Sequence, residues 1–175
     1  MILSIFKASR RLRTASLSVA LTMLTLGVSF MSPHEQMLSA AMASSGNISS
    51  HIGQLKTSSH ARWIEVKLED QQILAWEGDR VVYSSAVSSG VADSPTREGS
   101  FEIQSMHVTT RMSGVDYDVD DVPYTMYYSG HYALHGAYWH DNFGTPMSHG
   151  CVNLSMETAD WIFNWAHVGT PVIVH

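Results

Sequence analysis

Cysteine is almost absent from this chain. Cys151 is the only one in 175 residues, which excludes an intramolecular disulfide, a Cys-x-x-Cys redox pair and a four-cysteine zinc site. Basic side chains are missing from a long stretch. From Met112 to His175 there is no lysine or arginine, while seven acidic residues occur there: Asp116, Asp118, Asp120, Asp121, Asp141, Glu157 and Asp160. The formal net charge of −6 understates this imbalance, because Lys7, Arg10, Arg11 and Arg13 all lie near the N-terminus. Nucleic acid is thereby excluded as a partner, since its binding leans on Lys and Arg at phosphates. Such a surface favours a cationic group, such as a free amine, or is simply solvated. An EF-hand is missing too: Asp116, Asp118 and Asp120 alternate as its first ligands do, but Asp121 and Tyr127 stand where Gly and Glu are needed.

The basic residues just named precede an apolar run, Leu17 to Met31, and then Ala41-Met42-Ala43, which has the small-x-small form of a cleavage site. Residues 1–43 therefore read as a signal peptide or an uncleaved membrane anchor, and the protein as exported to the periplasm or cell wall. No cysteine follows the run, so a lipoprotein anchor is excluded. Residues 44–60, rich in Ser, Gly and Thr, read as a flexible linker. The remainder, 61–175, suits one domain, expected to be a monomer.

Within that domain Ile64, Val66 and Leu68 alternate with Glu65 and Lys67, and similar runs follow at 73–76 and 80–87, which predicts a three-stranded antiparallel meander. Ser88 to Glu98 reads as loop and Gly99 to Met106 as a strand. Residues 107–130 lose the alternation and read either as a mobile acidic flap bearing Asp116, Tyr117 and Tyr127 as a substrate lid or as a plain surface loop. A strand ending in His135 comes next. After Asn153 the period becomes helical: Ser155 can cap, Glu157 lies in the first turn, Ala159, Ile162, Phe163 and Ala166 share a face, and Gly169 ends the helix. Thr170 to Val174 closes the fold as a strand. The fold class is mainly β, a compact sandwich or barrel with one helix after the cysteine. Trp63 and Trp76 are expected in the core, and His34, His51, His60, His107, His167 and His175 on the surface or in the linker.

A lone cysteine is usually a small buried hydrophobe. Here it sits in Ser148-His149-Gly150-Cys151-Val152-Asn153, and a second histidine, His135, ends the preceding strand. A thiol attacks carbonyl carbon as thiolate and needs a base; with no lysine or arginine nearby, histidine must serve. His135 is the candidate base and Cys151 the nucleophile. His149 is a hydrogen-bonding partner, Gly150 gives close backbone approach, and Asn153 braces the turn.

The run His135, a Gly-containing loop and Ser148-His149-Gly150-Cys151-Val152-Asn153-Leu154 resembles the signature of the L,D-transpeptidase catalytic domain family. The resemblance extends back over Ile64 to Leu68, Val81-Val82-Tyr83, Val87 to Gly90 and Thr96 to Phe101. Arg97 stands where the family usually has proline, and the loop from His135 to Ser148 is slightly short, which implies a different lid shape. The resemblance implies that His135 deprotonates Cys151, which forms a thioester with a peptidoglycan stem tetrapeptide and releases its terminal D-alanine. Backbone N–H groups near Gly150 and Cys151 hold the oxyanion, with Gly136 and Ser148 as structural neighbours. An amine of another stem then completes a cross-link, or water completes a carboxypeptidase cycle. Neither a cofactor nor a metal is implied.

Two rival cysteine enzymes fail on residue order: a sortase needs an arginine after the cysteine, and a papain-like peptidase has its histidine after it. A third reading, an exported metal-binding protein using His131, His135, His140 and Cys151, lacks recognisable ligand spacing.

Overall fold

The first three strands, β1 (Arg62–Lys67), β2 (Gln72–Glu77) and β3 (Arg80–Ala86), form the expected antiparallel meander with Val66 opposite Ile73. The computed structural model describes residues 32–58 and 61–175. The apolar run of the expected targeting segment lies outside the described residues.

The remaining strands are β4 (Gly99–Glu102), β5 (Ser105–Ser113), β6 (Asp118–Ser129), β7 (Tyr132–Gly136), β8 (Val152–Leu154) and β9 (Pro171–Val174), with helix α2 (Met156–Trp165) between the last two. They make two sheets, ordered β3-β2-β1-β9-β4 and β5-β6-β7-β8. β1 and β9 are parallel, as are β7 and β8; the other pairings are antiparallel. Both sheets and α2 share one core, in which Ile64, Val66, Ile73, Met126, Leu134, Val152, Leu154, Ile162, Val172 and Val174 are fully buried. Each such side chain contributes about 1.5–3 kcal/mol of hydrophobic stabilisation. Helix α2 begins as its sequence predicts, Ser155 Oγ accepting the Thr158 N–H at 3.2 Å, and buries Thr158, Ala159 and Ile162.

Four sequence expectations need correction. The strand over 99–106 is two strands in different sheets: Ile103 N–H donates to Thr170 O at 2.9 Å, and the adjacent Gln104 N–H to Tyr127 O at 2.7 Å, so the chain changes sheet between these residues. Residues 107–130 are not irregular but form the long β5–β6 hairpin, in which Val108 is exposed and Thr110 half-buried, so residue type does not follow burial. The Ser/Gly-rich stretch expected as linker is helical within α1 (Pro33–Thr57), opened by a capping box between Ser32 and Glu35. This helix has no buried residue; Lys56 Nζ lies 4.4 Å from the Trp76 ring centroid and His51 bonds Ser100. Among the described residues no helix is long and apolar enough to cross a membrane.

The fourth correction concerns β1. Glu65, expected at the surface, is only 5% exposed. Its carboxylate accepts from Trp76 Nε1 at 3.0 Å and His175 Nε2 at 2.9 Å, which satisfies a buried charge. His175 is therefore a structural partner. Trp63 is fully buried as expected, while Trp76, stacked on it at 5.0 Å, is half-buried.

Candidate active site

The parallel β7–β8 pair sets the site. Leu134 lies opposite Val152 and His135 opposite Asn153, so His135 stands across the ladder from the residue two after Cys151. His135 and Cys151 both line a cavity of about 270 Å³. Met112, Val119, Val122, Trp139 and Met147 form its apolar wall, and His131, His135, Ser148, His149, Cys151 and Asn153 its polar one.

His135 is 3% exposed. Its Nδ1 lies 3.0 Å from the Gly136 carbonyl. A carbonyl can only accept, so Nδ1 carries the hydrogen and Nε2 is left as the basic nitrogen. Burial pushes the imidazole pKa down to about 4, partly opposed by the Gly136 bond. Cys151 is half-buried, and its thiol donates to His131 O at 3.6 Å. Enclosure raises the thiol pKa; the Ala133 backbone N–H acts the other way. Enclosure thus disfavours the charged form of both the imidazole and the thiol.

The turn before Cys151 is over-determined. Gly150 has φ +115°, and a Cβ there would lie 2.8 Å from the Tyr132 ring. Ser148 Oγ accepts the Gly150 N–H at 3.1 Å and donates to the Cys151 carbonyl. The segment Ser88-Ser89-Gly90 supports this turn from the first sheet. Ser148 N–H donates to Ser89 O at 3.0 Å, Ser88 exchanges backbone bonds with Asn153 at 3.0 and 2.9 Å, and Gln71 Oε1 accepts the Ser89 N–H at 2.9 Å. Ser88 falls within the run Val87 to Gly90 that carries the resemblance, whereas Gln71 carried no recognisable signal in the sequence, because its role depends on two distant segments meeting. Gly136 is packed closely: a Cβ would approach Pro123 Cγ to 2.9 Å and Met156 Sδ to 3.1 Å. Arg97 donates to Ser129 Oγ at 3.2 Å and lies over Phe101.

The hairpin tip reaches the site from above. Tyr117 stacks on His149 with centroids 4.8 Å apart, and His149 Nε2–H donates to Asp116 Oδ2 at 3.3 Å. Burial raises the Tyr117 pKa, with added effect from Cys151 and Asp116. Tyr127 does not line the cavity; its ring packs edge-on against His107 at 5.9 Å. The arms of the hairpin are braced by Arg111, which bonds Asp118 through Nε at 2.7 Å and approaches Asp120 at 3.3 Å. Arg111 holds the Asp118 carboxyl below its ordinary pKa. The run without cations in the sequence is therefore supplied with one in space, and only Asp116 of the three alternating carboxylates turns to the site. Among the described residues no three of His, Cys, Asp or Glu converge as a metal site, so His131, His135, His140 and Cys151 do not form the rival's ligand set.

Comparison with known proteins agrees with this geometry. The family profile described as L,D-transpeptidase catalytic domain matches residues 61–174. Among solved structures, the L,D-transpeptidase from Mycobacterium smegmatis superposes with a TM-score of 0.62 at 24% identity, covering 65% of this chain and 58% of that one. The L,D-transpeptidase LdtMt1 in complex with imipenem gives 0.63 at 26%, covering 66% and 59%. The catalytic domain of the Enterococcus faecium L,D-transpeptidase gives 0.60 at 25%, covering 66% and 98%. The curated proteins gave no match. The chain spans less than two thirds of the first two structures and nearly all of the isolated catalytic domain. The chain belongs to the L,D-transpeptidase catalytic domain family.

Proposed function

We propose that this protein is a peptidoglycan L,D-transpeptidase that works through a Cys151 thioester. The observation that carries the reading is one cavity lined by both His135 and Cys151, with the His135 tautomer fixed by the Gly136 carbonyl. The Cys151 proton passes to His135 Nε2 as sulfur attacks the carbonyl carbon before the terminal D-alanine of a stem tetrapeptide. Charge accumulates on the carbonyl oxygen. Because the Gly150 N–H is engaged by Ser148 Oγ, the backbone N–H of Cys151 is the candidate oxyanion donor. Collapse breaks the C–N bond, and the His135 imidazolium returns its proton to the departing D-alanine amine. An amine of a second stem then attacks the thioester and forms the cross-link; water in its place gives the carboxypeptidase reaction. The chemistry uses the chain's own groups and belongs outside the cytoplasmic membrane. Residues 1–43 serve as signal peptide or anchor, and 61–175 as the catalytic domain of a monomer.

Incubation with a carbapenem, an acylating analogue of the donor, should add one intact inhibitor mass, mapped by peptide digestion to Cys151. Cys151→Ala should take up none. An unmodified wild-type chain, or label elsewhere, overturns the reading. With a stem tetrapeptide, release of D-alanine together with a cross-linked dimer identifies the transferase, and release with tripeptide alone identifies water as acceptor.

His149 contributes at the rim. Removing it frees the Tyr117 and Asp116 contacts of the hairpin tip without removing a base. His149→Ala should slow carbapenem acylation by about tenfold, well short of the roughly 10²–10⁴-fold expected for loss of general-base catalysis at His135. Stopped-flow acylation rates for the two variants check this order, and equal losses would reassign the base.

A further inference from the structure

Of the three carboxylates that alternate along the hairpin tip, Asp116 alone is left without a guanidinium. Arg111 bonds Asp118 through Nε at 2.7 Å and lies 3.3 Å from Asp120. Asp116 is held instead by His149, whose Nε2–H reaches its Oδ2 at 3.3 Å. The Asp116 side chain is 69% exposed, and among the described residues none bonds its Oδ1. His149, its partner, and Tyr117, its chain neighbour, both line the cavity that holds Cys151. Burial raises the Tyr117 pKa, and Cys151 and Asp116 push it the same way, so one phenol lies within reach of both charges. Among the described residues no lysine or arginine lines that cavity.

A carboxylate so placed acts on what approaches the thioester. Its field extends about 8 Å at physiological salt, so it draws a cation to the mouth without touching a reacting atom. An exposed ion pair shifts an equilibrium by up to about fivefold. Water, the competing acceptor, is uncharged and gains nothing from the field.

We propose that Asp116 is a specificity-determining residue for the second half of the reaction: its unneutralised carboxylate at the cavity mouth concentrates ammonium-bearing acceptors at the Cys151 thioester and so favours cross-linking over hydrolysis. This rests on the acyl-transfer reading and names the group within it that selects the acceptor. The ammonium gives one proton to solvent, and the neutral amine attacks the thioester carbon. The C–N bond forms, the C–S bond breaks, and the second nitrogen proton passes through His135 Nε2 to the Cys151 sulfur, leaving an amide and the free thiol. Asp116 transfers no proton in this sequence.

The full chain, supplied with dilute stem tetrapeptide, tests this with two acceptors at neutral pH. Nα-acetyl-lysine amide carries a cationic side-chain amine there, whereas methoxyamine is uncharged. Transfer product is measured against tripeptide, a ratio set within one acyl-enzyme and so independent of how much of a variant is folded. With the lysine derivative the ratio should fall about three- to fivefold in Asp116→Asn and about tenfold or more in Asp116→Lys, while the methoxyamine ratio stays within about twofold throughout. Sodium chloride near 1 M, which cuts the Debye length to about 3 Å, should bring the wild type to the level of Asp116→Asn without any substitution. Equal shifts for both acceptors, no shift for the lysine derivative, or a wild-type ratio indifferent to salt overturn the proposal. Release of D-alanine with tripeptide alone, whichever amine is present, also overturns it and leaves the thioester standing. A wild-type chain that releases no D-alanine and takes up no carbapenem defeats the acyl-transfer reading itself.

Discussion

His135→Gln is expected to slow acylation of Cys151 by about a thousandfold, within the 10²–10⁴ range that general-base catalysis supplies. The loss should be large because nothing else on the cavity wall combines a basic nitrogen with so well-defined an orientation: Nδ1 is tied to Gly136 O at 3.0 Å, and burial keeps the ring neutral. The same substitution has a second consequence. An unfolded histidine takes up its proton near pH 6.5, whereas folded His135 does so only near 4. Above pH 6.5 both states are neutral and stability does not depend on this group. As pH falls from 6.5 towards 4 the unfolded chain binds the proton first, so stability drops, by about 3 kcal/mol once both states are protonated. Urea unfolding at a series of pH values should show this acid limb in the wild type and its loss in His135→Gln. Wild-type acylation rates should likewise hold through pH 6 and decline only near pH 4, where the base becomes protonated. A wild-type rate that halves near pH 6.5 would mean that the working base is a more exposed histidine.

Gly150→Ala should be strongly damaging. At φ +115° an L-residue is strained, and its Cβ would stand 2.8 Å from a Tyr132 ring that is itself stacked on His131 at 4.5 Å. Backbone strain costs about 1–3 kcal/mol and overpacking a similar amount, so a total near 3 kcal/mol is expected from urea titrations. Relief would shift the turn that carries Cys151, and a displacement near 1 Å can cost about a hundredfold in rate. Gly130→Ala is the control: its φ is +59° with no atom within 4 Å of the added Cβ, so it should lose only about 1–2 kcal/mol and keep its acylation rate. Similar losses in both would show that backbone conformation alone, without the Tyr132 contact, explains the effect.

The parts of the fold legible in the sequence are those whose signals are local. Alternation at 64–68 and the apolar run 73–76 between polar turns marked the meander, and Ser155 with Ala159 and Ile162 marked α2, because each packs on the core. His135 sits near the end of the apolar strand β7 and Cys151 immediately before β8, and both line one cavity. The hairpin was hidden because residue type does not follow burial along it: Val108 is exposed while Thr110 is half-buried. Ser32-Pro33-His34-Glu35 did hold a capping signal for α1, but the Ser and Gly content downstream outweighed it. Burial of Glu65 depends on His175 and Trp76 arriving from other segments, and Arg111 answers carboxylates that a linear charge count leaves alone. The acidic residues thus have less free charge to offer an incoming amine than composition suggested. Tyr127, chosen for its place among aromatics, belongs to the hairpin's packing against His107.

Strand β9 sits between β1 and β4, with Val172 beside Ile64. The meander can therefore pair early in synthesis but keeps one edge open until residues from the far end of the domain slot in beside it. Such distant closure is slow relative to local pairing. Until then the sheet stays unlocked, and the Ser88–Asn153 brace, which also joins distant segments, completes late in assembly. The turn around Cys151 is then set only as the fold itself is completed.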